Sequence, residues 1–217
     1  TKDVAAFNDL ELVQAQFSKN EWFNRTARRI SQERAARHPQ SGSASLLSRK
    51  VLDPDFGLND QERAAAALAR DAIAKGTEST RRLRLIWALE AMDASSQDLL
   101  RKWTQDRDEM VRAWAVRILA GQGAQSYLLA IASSETSPIV GRAYAESLSR
   151  MRGEQRNQIL GVLLRFADAD PDLQLLLWHQ ALAAGIEPLR LTQLAVEANS
   201  ALFQRFAARL MAENMNA

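Results

Sequence analysis

A nine-residue stretch near the start of the chain returns near its other end, and this repetition constrains the fold more than any other feature. The stretch WFNRTARRI covers residues 22–30, and LFQRFAARL covers residues 202–210. The alignment without gaps places Phe23, Arg25, Ala27, Arg29 and Ile30 on Phe203, Arg205, Ala207, Arg209 and Leu210. The apolar members are three or four residues apart, the spacing of one face of an α-helix.

Two further segments follow the same pattern when Phe23 and Phe203 are taken as position zero. Val111 and Val140 then begin the other copies, 29 residues apart. Position +4 is filled by Ala27, Ala115, Tyr144 and Ala207, and position +7 by Ile30, Ile118, Ser147 and Leu210. One helical hairpin cannot bury such a face alone, so successive hairpins must stack. The pattern predicts an all-α superhelix, a solenoid of about five to six helical hairpins.

Helical periodicity covers almost the whole chain, with turn signals between the helices. Ser137-Pro138 and Asp170-Pro171 each predict a helix that starts with an N-cap followed by proline. Glycine predicts the ends of three helices, at Gly76, Gly121 and Gly185. Residues 39–60 are the least regular part. We therefore expect a single repeat domain over 1–217, with 39–60 as an irregular, loop-rich unit.

Composition narrows the chemistry. The chain has no cysteine, which excludes disulfides, cysteine-ligated zinc, a cysteine nucleophile and covalently attached haem within its 217 residues. The formal charge is only +2, which makes nucleic acid an unfavoured partner. No apolar run has the length of a membrane span. Glycine and proline number 9 and 5, too few for an all-β chain with many tight turns.

No segment predicts a catalytic, metal or cofactor site. The acidic stretch DADPDLQ, with Asp168, Asp170 and Asp172, lacks the later glycine and glutamate of a calcium loop, and DPDFGLND, from Asp53, lacks the glutamate. Asp170 is better interpreted as an N-cap. His38 is expected at a helix end and His179 at a packed or boundary position. Neither histidine is paired with a nucleophile by any known motif.

The tryptophans lie at helical spacing and are expected to pack between repeats rather than to grip a ligand. Two of them fall toward the edge of the core face, so we expect partial exposure at Trp22 and Trp114. The complete set is Trp22, Trp87, Trp103, Trp114 and Trp178.

The segment DRDEMVRAWAVRIL resembles a HEAT-type repeat, an armadillo-like helical hairpin. Over Trp22–Arg34, and then at LRLIWALEAM, VRAWAVRIL, SPIVGRAYAESLSRM and LLLWHQAL, the chain resembles the helical region of bacterial predicted membrane-bound dehydrogenases. In that family a β-propeller precedes the helical region and a haem-binding cytochrome c domain follows it. The resemblance implies a fragment of a larger, extracytoplasmic redox protein, whose chemistry would lie in flanking domains.

Positions +2 and +6 point away from the predicted core face. They hold a broken row of arginines, which a HEAT-like solenoid would place on its concave side: Arg25, Arg29, Arg117, Arg142, Arg205 and Arg209. The row is interpreted first as a solvated face and second as a surface for a protein partner or for flanking domains. The leading hypothesis is a non-catalytic scaffold without a cofactor. The alternatives are a nucleic-acid-binding protein similar to HEAT-like DNA glycosylases, and an accessory subunit of an enzyme.

Overall fold

The computed structural model describes residues 3–37, 55, 57–76, 78–167 and 170–215. Within these ranges every regular element is a helix, and the all-α prediction is confirmed. The described residues contain twelve α-helices, and neighbouring helices pack against one another. The chain divides into two compact units, Thr1–Leu99 and Leu100–Ala217. The single-domain prediction is not tested by this division, and most of 39–60 lies outside the described residues.

The first unit contains two stacked hairpins. Its first-layer helices α1 and α3 contact each other, and so do its second-layer helices α2 and α4. Short 3₁₀ turns at Val4–Ala6 and Ala15–Phe17 flank α1. The four helices are α1 (Asp9–Gln14), α2 (Glu21–Ala35), α3 (Asp60–Ala74) and α4 (Ser79–Ala91).

Small and aliphatic residues form the core of this unit. Ala27 on α2 has no exposed surface, and Leu12 on α1 is 1% exposed. Phe7 and Phe23 pack on the same cluster from its edge, with ring centroids 6.4 Å apart. The small side chain at Ala27 permits close approach of the neighbouring helices, which is the packing role predicted for position +4.

The second unit repeats this two-layer arrangement. The first-layer helices α7, α9 and α11 contact one another in series, and so do the second-layer helices α6, α8, α10 and α12. Helix α5 (Gln97–Trp103) begins in the first unit and ends in the second. The others are α6 (Glu109–Gly121), α7 (Gln125–Ala132), α8 (Pro138–Ser147), α9 (Gly153–Phe166), α10 (Pro171–Ala183), α11 (Pro188–Glu197) and α12 (Ala201–Met215).

N-caps set a common register for the second-layer helices of this unit. Asp108, Ser137 and Asp170 accept hydrogen bonds from the first-turn N–H groups of α6, α8 and α10, and Ser200 does the same before α12. The third residue after each cap is at most 1% exposed: Val111, Val140, Leu173 and Phe203. Helix α10 therefore shares this register, with Leu173 at position zero, although the sequence pattern had not identified that position.

Burial confirms the predicted core positions. All four residues at position +4 are 0–1% exposed: Ala27, Ala115, Tyr144 and Ala207. At position +7, Ile30, Ile118 and Ser147 are buried and Leu210 is partly buried. The polar Ser147 is accommodated because its hydroxyl donates a hydrogen bond to the carbonyl of Ala143, at 2.7 Å.

Two of the three predicted glycine helix ends are correct. Gly76 and Gly185 follow α3 and α10 with φ of 74° and 66°, the left-handed conformation that glycine adopts without strain. The prediction for Gly121 is wrong, because Gly121 is the last helical residue of α6. The left-handed position there belongs to Gly123, at φ 76°. Two glycines in one turn made the sequence signal ambiguous.

Candidate partner-binding surface

The outward face is defined here as positions +2 and +6 of helices α2, α6, α8, α10 and α12, counted from position zero. In the first unit it comprises Arg25 and Arg29 on α2. In the second unit it comprises residues 113, 117, 142, 146, 175, 179, 205 and 209. Five of the six predicted arginines on this face are exposed, and Arg117 is partly exposed. Ala113 departs from the pattern, since its side chain is completely buried.

Two of the predicted arginines link neighbouring repeats. Arg117 Nε on α6 lies 2.8 Å from Glu146 Oε2 on α8, and Arg142 Nη2 on α8 lies 3.4 Å from Asp170 Oδ2 at the N-cap of α10. These arginines are therefore engaged with carboxylates of the next helix. Their ion pairs are partly solvated and contribute little stability each, but they orient adjacent helices.

Polar contacts between neighbouring repeats also occur elsewhere in the second unit. Ser137 Oγ donates to Glu109 Oε2 at 2.6 Å, and Arg156 Nη1 donates to the carbonyl of Ala184 at 2.7 Å; each pair is 28 residues apart. The Arg117–Glu146 and Ser126–Gln155 pairs are 29 residues apart. This spacing matches the 29 residues from Val111 to Val140. Polar contacts of similar spacing thus join neighbouring repeats, although the later buried positions Val140, Leu173 and Phe203 are 33 and 30 residues apart.

The remaining predicted arginines divide into two groups. Arg29 and Arg209 form exposed ion pairs with Glu33 and Glu213, one turn later on their own helices. Arg25 and Arg205, both at position +2, have no carboxylate partner among the described residues. Within the described part of the chain, these two side chains are therefore the unpaired cations of the predicted row.

Exposed apolar side chains accompany them on the second-layer helices. Trp22, at position −1 of α2, is 61% exposed and lies one turn before Arg25. On the second unit, Met110 is 40% exposed and Leu175 is 43% exposed. Trp103 and Trp178 are buried, as predicted for packing residues, and Trp87 and Trp114 are partly buried. The predicted exposure of Trp22 and Trp114 is confirmed.

A polar network that the sequence analysis did not identify lies beside this face on α2. The guanidinium of Arg28 is stacked on the ring of Trp87, 4.9 Å from its centroid, and Nη1 donates to Gln16 Oε1 at 3.1 Å. Gln16 is 1% exposed and donates to the carbonyls of Leu12 and Asn24. The spacing of Arg28 gave no signal, because it falls at position +5 of the repeat.

A pocket of about 230 Å³ opens at the turns before α6 and α8 of the second unit. Arg112 is one of its lining residues, and its Nε and Nη2 donate to the two carboxylate oxygens of Glu135 at 2.9 and 3.0 Å. Nη1 of Arg112 donates to the carbonyl of Asp106 at 2.9 Å. The hydroxyl of Tyr144, another lining residue, donates to the carbonyl of Leu128. These polar groups are occupied by contacts within the protein.

The ion pair between Arg112 and Glu135 shifts the pKa of each partner. Hydrogen bonding to Glu135 raises the pKa of Arg112. Burial alone would raise the pKa of Glu135, but hydrogen bonds from Arg112 and from the N–H groups of Ser137 and Thr136 outweigh burial and lower the pKa below the ordinary 4.5. Burial raises the pKa of Tyr144 well above that of a free tyrosine. Glu135 therefore stays ionised in the folded protein and holds Arg112 through this ion pair.

Acidification is expected to remove the stabilisation that Glu135 provides. Because its pKa is lower in the folded state, the contribution is complete above the unfolded value near 4.5 and is lost as pH falls through the folded value. Urea unfolding followed by circular dichroism across this range should show the difference in stability between the wild type and Glu135→Gln narrowing as the solution becomes acidic. A difference that stays constant with pH would contradict this role of Glu135.

The other predicted sites can now be placed. Asp170 is an N-cap, as predicted, and its carboxylate accepts from Leu173 N at 3.0 Å. His179 on α10 is exposed. His38, Asp53 and Asp168 lie outside the described residues.

Across the part of the chain that the structure describes, no group of three or more histidine, aspartate or glutamate side chains is arranged to hold a metal ion. None of the described helices combines the length and apolarity of a membrane span.

Comparison of the chain with protein-family models, with curated proteins and with solved structures finds no match. The resemblance to the helical region of predicted membrane-bound dehydrogenases therefore stays a prediction.

Proposed function

We propose that this chain is a non-catalytic helical-repeat scaffold that binds a protein partner through the outward face and the exposed apolar residues beside it. The observation that carries the proposal is the combination of exposed apolar side chains with free arginines on the second-layer helices. Trp22 and Arg25 occupy one turn of α2, and Leu175 and Arg205 are exposed on α10 and α12. Tryptophan and arginine are the residue types most enriched at the energetic centres of protein interfaces.

The repeat construction supports a scaffold role. In the second unit the outward positions recur every 29 to 33 residues, because each second-layer helix buries its position zero. A partner that follows such a surface gains contacts from several repeats without chemistry at any one of them. The polar groups described in the 230 Å³ pocket are engaged by the protein itself, so the outward face is the better candidate for recognition.

The proposal also places the chain within a larger redox protein, as a spacer between domains that carry the chemistry. This part rests on the resemblance of Trp22–Arg34 and of the later helical segments to the predicted dehydrogenase family. Its partner would then be a flanking domain of the same polypeptide or a protein that docks on the assembled enzyme.

Site-specific photo-crosslinking tests the proposed surface. Benzoylphenylalanine at Leu175, on a second-layer helix, is expected to capture one dominant protein partner. The matched control is Leu189, which is 62% exposed on the first-layer helix α11. With the captured partner purified, Leu175→Glu should weaken binding about ten-fold, the effect of about 1.4 kcal/mol, and Leu189→Glu should leave it unchanged.

Equal crosslinking from both positions, or none from either, would contradict the proposal. A gel shift at two salt concentrations provides the comparison with nucleic acid. Tight, strongly salt-dependent binding of duplex DNA would favour the nucleic-acid alternative instead, because DNA binding releases counterions from the phosphates. The pairing of Arg117 and Arg142 with carboxylates disfavours that result.

A further inference from the structure

Arg28 on α2 carries a positive charge that its surroundings only partly compensate. Its side chain is half-buried between the ring of Trp87 and Gln16, a neutral hydrogen-bond acceptor. The Nε and Nη2 groups of Arg28 have no acceptor among the described residues. Burial lowers the pKa of this guanidinium, and the nearby charges of Arg84 and Arg25 oppose the effect of Glu21 and lower it further.

The carboxylate of Glu21 does not remove this excess charge. Glu21 forms its ion pair with Arg84, whose side chain is only 13% exposed and also donates to the carbonyl of Ser18 at 3.1 Å. Among the described residues, Glu21 pairs with Arg84 and acts on Arg28 through its charge, and Arg25 has no carboxylate partner. The face of α2 retains donor capacity for further acidic groups.

Three other arginines of the first unit have carboxylate partners. Arg29 pairs with Glu33, Arg34 lies 2.7 Å from Asp9, and Arg70 pairs with Asp55. The turn of α2 that carries Arg25 and Arg28 therefore differs from these positions in its uncompensated charge. A site of this size suits a few carboxylates.

An exposed aromatic ring borders the same turn. Trp22 lies three residues before Arg25, on the same side of α2, and is held edge-on against Phe23 with ring centroids 5.4 Å apart. Its position is therefore set by packing although 61% of its surface is exposed. A ring held in this way gives up little conformational freedom on binding.

We infer that this turn of α2 binds a carboxylate-rich segment of a partner protein, with Arg25 and Arg28 meeting its carboxylates and Trp22 contacting an apolar side chain between them. The inference rests on the proposed function, because it specifies the chemistry of a partner at the outward face of the first unit. Planar guanidinium groups bind carboxylates with two parallel hydrogen bonds, so the contact depends on orientation as well as on charge.

An acidic protein segment fits the site better than nucleic acid does. Nucleic-acid binding relies on several phosphate contacts along an extended row of cations. Arg29 and Arg34, the next arginines along α2, already have carboxylate partners and are less available to extend such a row. The exposed indole beside two guanidinium groups matches a peptide in which acidic and apolar residues alternate.

Fluorescence anisotropy of the whole chain with two labelled peptides tests the inference. One peptide alternates glutamate with leucine, and the other replaces each glutamate by glutamine. The glutamate peptide is expected to bind, and Arg25→Glu should weaken it about ten-fold, as for the loss of one charge-assisted hydrogen bond. Glu21→Gln should strengthen binding, because it removes the carboxylate that competes for the same cations.

Arg152→Glu is the control, since Arg152, at the N-cap of α9, is exposed and has no carboxylate partner among the described residues. It should change the affinity less than about two-fold. Equal losses from Arg25→Glu and Arg152→Glu, equal binding of the two peptides, or no binding of either would overturn the inference. Displacement of the glutamate peptide by single-stranded or duplex DNA at lower concentration would overturn it in favour of nucleic acid.

The failure of this inference is distinguishable from failure of the proposed function. If Leu175 crosslinks a partner whose affinity is unaffected by Arg25→Glu, the scaffold role stands and the acidic site on α2 does not. If Leu175 crosslinks nothing while the glutamate peptide binds through Arg25, the site on α2 stands and the wider surface does not. Circular dichroism confirms that each exposed-residue variant is folded.

Discussion

Replacing Phe203 by alanine is expected to lower the free energy of unfolding of the second unit by about 4 kcal/mol. Phe203 has no exposed surface and lies edge-on against Trp178, with ring centroids 5.1 Å apart. It occupies position zero of α12, so its removal leaves a cavity where α12 packs on the preceding repeat. Urea unfolding followed by far-UV circular dichroism measures the change.

Two variants of α12 control this experiment. Phe203→Leu refills most of the cavity and should recover a substantial part of the lost stability. Arg205→Ala, two residues away on the outward face, should stay within about 0.5 kcal/mol of the wild type. A cost at Phe203→Ala no larger than that at Arg205→Ala would show that position zero does not hold α12 in the stack.

Replacing Arg112 by methionine is expected to cost about 2 to 3 kcal/mol, the second largest effect. The substitution removes the two-point hydrogen bond to Glu135, and the side chains of the pair are only 19% and 15% exposed. Glu135 keeps its hydrogen bonds from the N–H groups of Thr136 and Ser137, which limits the loss. Chemical unfolding again provides the measurement.

The comparison with Arg117→Met separates a shielded ion pair from a solvated one. Arg117 pairs with Glu146, whose side chain is 47% exposed, so its loss should cost less than about 1 kcal/mol. The double variant Arg112→Met with Glu135→Gln should cost less than the sum of the two single changes, because no unpaired charge then remains. Additive costs would mean that the two residues do not stabilise the fold as a pair.

Helix formation and the buried face were predictable from short segments. The N-caps Ser137 and Asp170 act within one turn of their own helices, so their signals are local. Residues at position +4 are small or tightly packed wherever hairpins stack, which made Ala27 and Ala207 recognisable as equivalent. Helix α10 was harder to align, because Leu175 and His179 replace the usual charged residues on its outward side.

The roles of individual arginines were less predictable, because their partners are far away in the sequence. Arg117 and Glu146 are 29 residues apart, and nothing in either segment shows that they meet. Arg28 differs from Arg25 through the ring of Trp87 below it and the buried amide of Gln16 beside it. Ala113 looked outward-facing by periodicity alone, but the stacking of neighbouring helices covers it.

By itself, the sequence determined that this chain forms amphipathic helices with a repeating apolar face, because both properties follow from spacing within about two turns of helix. Tertiary structure decided which arginines remain available. Stacking brings carboxylates to Arg117 and Arg142 from the next helix, and it leaves Arg25, Arg28 and Arg205 with unused donors among the described residues. Charge compensation depends on distance in space, and the spacing of residues along one helix does not specify that distance between helices.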